Sequence, residues 1–400
     1  MNHQSKNITN NYRLLSTLLF LFFTWGFITL MNDLLLPIVK ENFHLSYFEA
    51  TLIDFCFFIA YGVFSIPVAL ILQKISYKRT MILGLLIIAV GSLLMKIVYA
   101  FNNYPLFLFG LTVMAIGVIF LQVSANPFIS DLGHDDTAPA RLTLAQGINS
   151  LGYIVAPLIF SHISLKENIS SLYLIIVVAL IAFSILLSFV RFNSSNHLDA
   201  TIKNENLKND LHNHKGILIF GVISIFFYVG AEVSAGSLII NFAMLPEIGV
   251  KYTITTASSL LVFFWGGAMI GRLAGSYVLK QFNASMVLIL FSAINLLLVL
   301  TVILSSGNFS LYTLLSLGLF NSIMFPTIFA LTIESMPKKL KSKASGYLIT
   351  AIVGGAFIPI IQGKLADIVG LQISFVSLLP SYLIILLFAI YMLKSNHEKS

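Results

Sequence analysis

A single carboxylate lies inside a long apolar stretch near the start of the chain. The stretch reads FFTWGFITLMNDLLLPIVK over residues 22–40, and the carboxylate is Asp33. An acid inside an apolar segment usually faces a polar cavity, where it can bind a proton, a cation or a polar solute. The alternative is that the helix ends early and that Asp33 is solvated just before Pro37.

Other apolar stretches carry side chains that could contact a polar solute. These candidates are Asn32, Gln122, Asn126, Gln146, Asn149, Glu232, Asn241, Trp265, Asn321 and Gln362. Most are amides, which donate and accept hydrogen bonds at once and therefore suit a neutral polyhydroxylated solute better than an ion. Trp265 could stack on a sugar ring or simply pack. Pro127, beside Asn126, either frees a backbone carbonyl for ligand contact or only kinks its helix.

Charged residues in the apolar stretches have two possible roles each. Glu232 needs a partner and Arg272 is a candidate, so Glu232 is either half of a structural ion pair or a substrate ligand. Arg272 and Arg141 are candidates for a gate or an ion pair, although an arginine near a helix end can also extend to the membrane surface. Asp54 lies close to the predicted outer face and is either solvated or functional.

The elements that must position these residues follow from the composition. Of the 400 residues, 58% are hydrophobic and only 10% are charged, which is too few charges for the surface of a soluble protein of this length. Apolar runs of about twenty residues cross lipid as helices. The chain is therefore predicted to be an all-α integral membrane protein. One cysteine, Cys56, excludes an intramolecular disulfide and a cysteine-rich metal site.

Twelve apolar spans are predicted, in two halves of six. Their approximate bounds are 14–38, 47–73, 80–99, 105–127, 141–163 and 171–192, then 217–243, 256–278, 284–305, 310–334, 345–364 and 371–393. The corresponding domains are a tail at 1–13, a half at 14–192, a polar linker at 193–216, a half at 217–393 and a tail at 394–400.

The positions of Lys and Arg give the orientation. Basic residues concentrate in the linker and in the connections around Lys78, Arg141, Lys280 and Lys338. The positive-inside rule places that side, and both termini, in the cytoplasm. The net charge of +7 is explained in this way and gives no reason to expect a nucleic-acid partner.

The two halves resemble each other, which is typical of secondary transporters. Each half has a proline beside a phenylalanine late in its fourth span, in Asn126-Pro127-Phe128 and in Phe325-Pro326-Thr327. Tandem halves around a central site are the plan of such carriers. The chain has no Walker A motif, no HExxH motif and no Ser/His/Asp set, so we expect neither an enzyme nor a cofactor or metal, and the energy must come from a gradient.

Several ordered motifs identify a family. FFTWGFITLMNDLLLP, LQVSANPFISDLG, RLTLAQGINSLG, YVGAEVSAGS, WGGAMIGR and FPTIFAL closely resemble the fucose–proton symporter family of the major facilitator superfamily, over nearly the whole chain. YVGAEVS and WGGAMIGR look more like the glucose/galactose permease branch. The resemblance implies the twelve-helix major facilitator fold, alternating access and sugar uptake coupled to an ion, usually the proton.

The resemblance also implies roles for particular positions. Asp33 matches the protonation and sugar-binding aspartate of the family, and Gln146 matches the glutamine of its RLNLAQ motif. Gln122 stands where the fucose permease has a second functional acid, so a proton path through two carboxylates does not carry over. Leu30 replaces a polar residue, which makes fucose itself a poor candidate.

The leading hypothesis is a monomeric, proton-coupled hexose importer in the bacterial cytoplasmic membrane, with glucose or galactose as first candidates. Three alternatives stay open at this point. They are a sodium-coupled sugar carrier, in which Asp33 and Asn32 bind Na⁺, an efflux carrier for sugars or a neutral metabolite, and a sugar sensor of the same fold that transports little.

Overall fold

The computed structural model describes residues 13–30, 47–101, 103–161, 165–190, 192, 207–248, 252 and 254–397. Its regular structure there consists of α-helices and short 3-10 turns, which confirms the all-α prediction. Asn32, Asp33 and the linker residues 193–206 lie outside the described residues, and so does the side chain of Asp54.

The first six helices correspond to the first six predicted spans. They are α1 Arg13–Leu30, α2 Tyr47–Ile75, α3 Tyr77–Phe101, α4 Tyr104–Ser130, α5 Ala138–Ser161 and α6 Leu165–Phe189. The remaining six spans contain ten helices. They are α7 Leu207–Ala243, α8 Ile254–Ser259, α9 Leu261–Gln281, α10 Ala284–Leu304, α11 Gly307–Asn321, α12 Met324–Glu334, α13 Lys338–Thr350, α14 Gly354–Val369, α15 Leu371–Ser374 and α16 Leu379–His397.

The helices differ from the predicted spans in two ways. α7 begins at Leu207, ten residues before the predicted span, because no proline or glycine interrupts the chain between Leu207 and Lys215. Spans predicted as continuous are broken between α8 and α9, between α11 and α12, between α13 and α14 and between α15 and α16. The break between α11 and α12 comes just before Pro326, which lacks the N–H that an uninterrupted helix needs. The break between α13 and α14 comes just before Gly354 and Gly355, and glycine is unfavourable in a helix interior.

The helices have the dimensions and surface of membrane spans. Eleven helical stretches among the described residues are long and apolar enough to cross a bilayer. Large apolar side chains such as Phe189 (79% exposed) and Leu304 (82% exposed) lie on the outside of the protein. Surface of this kind is stable against lipid and unfavourable in water.

The described chain groups into two compact units, and each unit contains a segment from the other half of the sequence. The first comprises Met1–Ile129, Ile148–Lys208 and Pro337–Thr350. In this unit α3 packs along α6, and the Lys78 ammonium donates to the carbonyl oxygen of Val190 (2.8 Å) just beyond the end of α6. A cation there is stabilised by the negative end of the helix dipole.

The second unit comprises Ser130–Gly147, Asn209–Met336 and Ala351–Ser400. In this unit α9 packs against α11, and α10 packs against α11 and α16. Glycines make the close contact between α9 and α11, because a methyl group added at Gly318 would overlap the carbonyl oxygen of Phe264. Small residues at such crossings are typical of helix packing in membranes.

Candidate functional site

An ion pair connects α7 and α9 inside the second unit. Nη2 of Arg272 lies 3.3 Å from Oε1 of Glu232, and the two side chains are only 13% and 14% exposed. Both residues are within membrane-spanning stretches. The pairing expected from the sequence is therefore present, and it neutralises two charges that would be costly to bury alone.

Arg272 makes a second contact, which depends on a proline. A helix would bond the carbonyl oxygen of Ser322 to the N–H of the residue four positions later, but that residue is Pro326, which has no N–H. Nε of Arg272 donates to the Ser322 carbonyl oxygen instead, at 3.3 Å. The break between α11 and α12 thus presents a backbone acceptor to the same guanidinium that pairs with Glu232.

Two further candidates lie on α9 or next to a residue that packs against it, in the second unit. A methyl group added at Gly147, next to Gln146, would be 3.5 Å from Cβ of Arg272. One at Gly236, one turn beyond Glu232 on α7, would be 3.2 Å from the Trp265 ring. Gln146 is 8% exposed and Trp265 is partly exposed. The second unit thus carries an amide, an aromatic ring and an ion pair on neighbouring helices.

Trp265 and Arg272 are seven residues apart on α9 and therefore share a face of that helix. Glu232 and Gly236 are four apart on α7 and share a face in the same way. Because Glu232 contacts Arg272 and Gly236 contacts Trp265, the two helices run antiparallel with these faces together. The arrangement can hydrogen-bond and stack on a neutral polar solute, and it offers one carboxylate.

In the first unit, the candidate amides hydrogen-bond within the protein. Nε2 of Gln122 donates to the hydroxyl of Tyr61 (2.9 Å), and Nδ2 of Asn149 donates to the carbonyl oxygen of Phe22 (2.9 Å). A methyl group at Gly26 would overlap the backbone of Asn149, so α1 and α5 are in direct contact there. Gln122 is partly exposed, whereas Asn149 is 4% exposed.

Pro127 has the effect in the first unit that Pro326 has in the second. It removes the N–H that would bond the carbonyl oxygen of Val123. Oγ of Ser345, which belongs to the same unit, donates to that oxygen at 2.9 Å. The freed carbonyl is thus satisfied by a side chain rather than presented to a ligand.

Three candidates are fully buried and one is exposed. The amide oxygen of Asn321 accepts from Nδ2 of Asn295 (2.8 Å) and from the hydroxyl of Tyr382 (2.9 Å), which connects α11 to α10 and α16. Asn126 and Gln362 have 0% exposure. Asn241 is exposed, two residues before the end of α7.

Arg141 is close to the start of α5, where it stabilises the connection from α4. Its guanidinium donates to the carbonyl oxygens of Ser130 and His134 and to the Thr137 hydroxyl. The carboxylate of Glu334, at the end of α12 in the same unit, also interacts with its charge. The hydrogen bonds of Arg141 thus join the end of α4, the α4–α5 connection and the start of α5.

Three partners of the candidates were not predicted from the sequence. They are Tyr61, Ser345 and the carbonyl of Ser322. Ser322 could have been found, because it lies four residues before a proline in an apolar span. Tyr61 and Ser345 carry no comparable signal, since each is far in sequence from the atom that it contacts.

Similar proteins agree with this architecture. Residues 14–352 match the family described as the Major Facilitator Superfamily. The chain is 38% identical over 384 residues to the "Glucose/galactose transporter" of Brucella abortus (strain 2308), covering 93% of this chain and 92% of the relative. It is 30% identical over 404 residues to the "L-fucose-proton symporter" of Escherichia coli (strain K12), covering 92% and 90%.

A solved structure gives the same result for the fold. The crystal structure of the E. coli fucose:proton symporter, FucP, superposes with a TM-score of 0.85 at 26% identity, over 96% of this chain and 99% of that one. The match of the family over most of the sequence, the relatives and the shared fold lead to one conclusion. This chain belongs to the Major Facilitator Superfamily of membrane transporters.

Proposed function

We propose that the protein imports a neutral hexose, glucose or galactose, together with a proton, by alternating access. The observation that carries the proposal is the mostly buried Glu232–Arg272 pair of the second unit. Trp265 lies further along the same face of α9, and Gln146 is next to Gly147, which packs against Arg272. Amides and an aromatic ring suit sugar hydroxyls and the C–H face of a pyranose. The relatives named for glucose/galactose transport and for fucose–proton symport support the same substrate class.

The roles of Gln146, Glu232 and Trp265 are proposed from their places in the second unit. That of Asp33, which lies outside the described residues, is proposed from its sequence motif. Gln146 and Glu232 bind sugar hydroxyls, and Trp265 stacks on the ring. Asp33 carries the coupling proton. We assign Asn321 to helix packing, because its amide oxygen is already occupied by two protein donors in a fully buried position.

Gln122 supports a coupling path with fewer carboxylates than the fucose permease pattern. An amide cannot take up and release a proton near neutral pH, and its Nε2 atom already donates to Tyr61. The proposal therefore gives the proton to Asp33 and leaves Gln122 as a polar contact. It also places the protein as a monomer in the bacterial cytoplasmic membrane, with both termini in the cytoplasm.

Uptake of labelled hexose into proteoliposomes tests the proposal. Glucose or galactose should accumulate when the outside is acidic relative to the lumen, and a protonophore should abolish that accumulation. Sodium gradients at equal pH should have no effect. Accumulation that needs Na⁺ and ignores the protonophore would indicate a sodium-coupled carrier, and binding without any uptake would indicate a sensor.

A further inference from the structure

Two buried polar side chains on neighbouring helices of the second unit are not satisfied. Ser234 on α7 and Gln362 on α14 each have 0% exposure. Within the part of the chain that the structure describes, Oγ of Ser234 and both amide atoms of Gln362 have no hydrogen-bond partner. Buried polar groups are nearly always paired, and these three unpaired atoms lie on two helices that pack against each other.

The packing of α7 against α14 brings these two residues to the same level. A methyl group added at Gly354 would overlap the carbonyl oxygen of Phe226, and one at Gly230 would overlap the side chain of Ile358. In both contacts, the α14 residue comes 128 positions after its α7 partner in the sequence. The two helices therefore run parallel. One turn beyond Gly230 and Ile358 on the same faces come Ser234 and Gln362.

The first unit has a similar seam, meaning a line of close contact between two helices, and its buried amide is hydrogen-bonded. There, α1 and α5 also meet through glycine contacts, at Gly26 and Gly152. The amide of that seam, Asn149, donates to the carbonyl oxygen of Phe22 at 2.9 Å. A seam of this kind can therefore satisfy its amide from the protein itself, and the α7–α14 seam does not do so among the described residues.

We propose that Ser234 and Gln362 form a subsite for one hydroxyl group of the transported sugar. The inference rests on the proposed function and adds Ser234 as a residue that determines specificity. Serine and glutamine both donate and accept, so together they match a neutral O–H group, which does the same. Neither carries a charge that would favour a phosphate or a cation.

The subsite is closed in this structure and opens when α14 moves relative to α7. Two features allow that movement. The 3-10 turn Ala351–Val353 precedes α14 and separates it from α13. Since Pro359 has no N–H, α14 also lacks the hydrogen bond that would tie that residue to its first turn.

Binding of single-deoxy hexoses to the purified protein tests the subsite. The parent protein should bind one of the deoxy sugars about tenfold or more weakly than the complete hexose, because the missing hydroxyl leaves Ser234 and Gln362 unpaired. In Ser234→Ala and Gln362→Ala, affinity for the complete hexose should fall while affinity for that same deoxy sugar stays constant. The ratio of the two affinities should therefore approach one in both variants.

Ser224→Ala is the matched control. Ser224 is also fully buried on α7, but its hydroxyl is satisfied by the carbonyl oxygen of Phe220 (2.8 Å), so its removal should leave the ratio at the parent value. Equal weakening of all sugars in Ser234→Ala, or no change, would overturn the subsite while leaving the proposed function intact. If the parent bound no hexose at all, the proposed function would fail, and the subsite with it.

Discussion

Arg272 and Glu232 form an ion pair within the membrane-spanning part of the second unit, with 3.3 Å between Nη2 and Oε1. The same guanidinium donates to the carbonyl oxygen that Pro326 leaves free at Ser322. One arginine therefore joins α7, α9 and the break between α11 and α12. The fold supplies both the counter-charge and the backbone acceptor of this guanidinium.

Removing one charge of this pair should cost more stability than removing both. Arg272→Met leaves the Glu232 carboxylate buried without its counter-charge, and we expect a loss of about 3–5 kcal/mol. The double variant Arg272→Met with Glu232→Gln should recover much of that loss. Thermal unfolding of the protein in detergent measures both effects. A double variant no more stable than the worse single variant would contradict this account of the pair.

The Ser345 hydroxyl should contribute to stability because Pro127 leaves the carbonyl oxygen of Val123 without its helical donor. Ser345→Ala should cost about 1 kcal/mol in the parent. In a Pro127→Ala background the new N–H can bond that oxygen, so the cost should fall markedly. Ser184→Ala, whose hydroxyl bonds only within α6, should show the same small effect in both backgrounds. Equal costs of Ser345→Ala in both backgrounds would refute the explanation.

Pro127 and Pro326 show what could be predicted from the sequence and what could not. Apolar runs of about twenty residues predict the membrane helices, and a proline inside such a run predicts an unbonded carbonyl four residues earlier. The groups that satisfy those carbonyls could not be predicted. Ser345 is 222 positions from Val123, and Arg272 is 50 from Ser322. Such pairings depend on how the helices pack, and a local sequence pattern does not contain that information.

The candidate amides illustrate the same limit. Each was identified because it is polar within an apolar run. That pattern predicts how deep the residue lies in the membrane, but not what its side chain faces. Asn321 and Gln146 therefore look alike in the sequence, although Asn321 is joined to Asn295 and Tyr382 in a fully buried cluster. The early start of α7 at Leu207 also escaped prediction, because a polar helix carries no apolar periodicity.

Substitution of Gln146 should lower sugar affinity, whereas substitution of Asn321 should lower stability. Gln146→Ala should weaken hexose binding about tenfold while the unfolding temperature stays near that of the parent. Asn321→Ala should lower the unfolding temperature, because the Tyr382 hydroxyl and the Asn295 amide lose their shared acceptor. Binding by titration calorimetry and thermal unfolding of the same preparations give both readings. Unchanged affinity in a stable Gln146→Ala would remove that residue from the site.

Proton movement on addition of sugar tests the central claim most directly. Proteoliposomes that contain a pH-sensitive dye, with equal pH and equal Na⁺ on both sides, are given external glucose or galactose. Hexose entry should acidify the lumen in the parent protein. Asp33→Asn, which imitates the permanently protonated acid, should abolish acidification yet retain exchange of labelled hexose between two sugar-containing compartments. Hexose entry without any acidification by the parent, or acidification by Asp33→Asn equal to that of the parent, would contradict proton symport through Asp33.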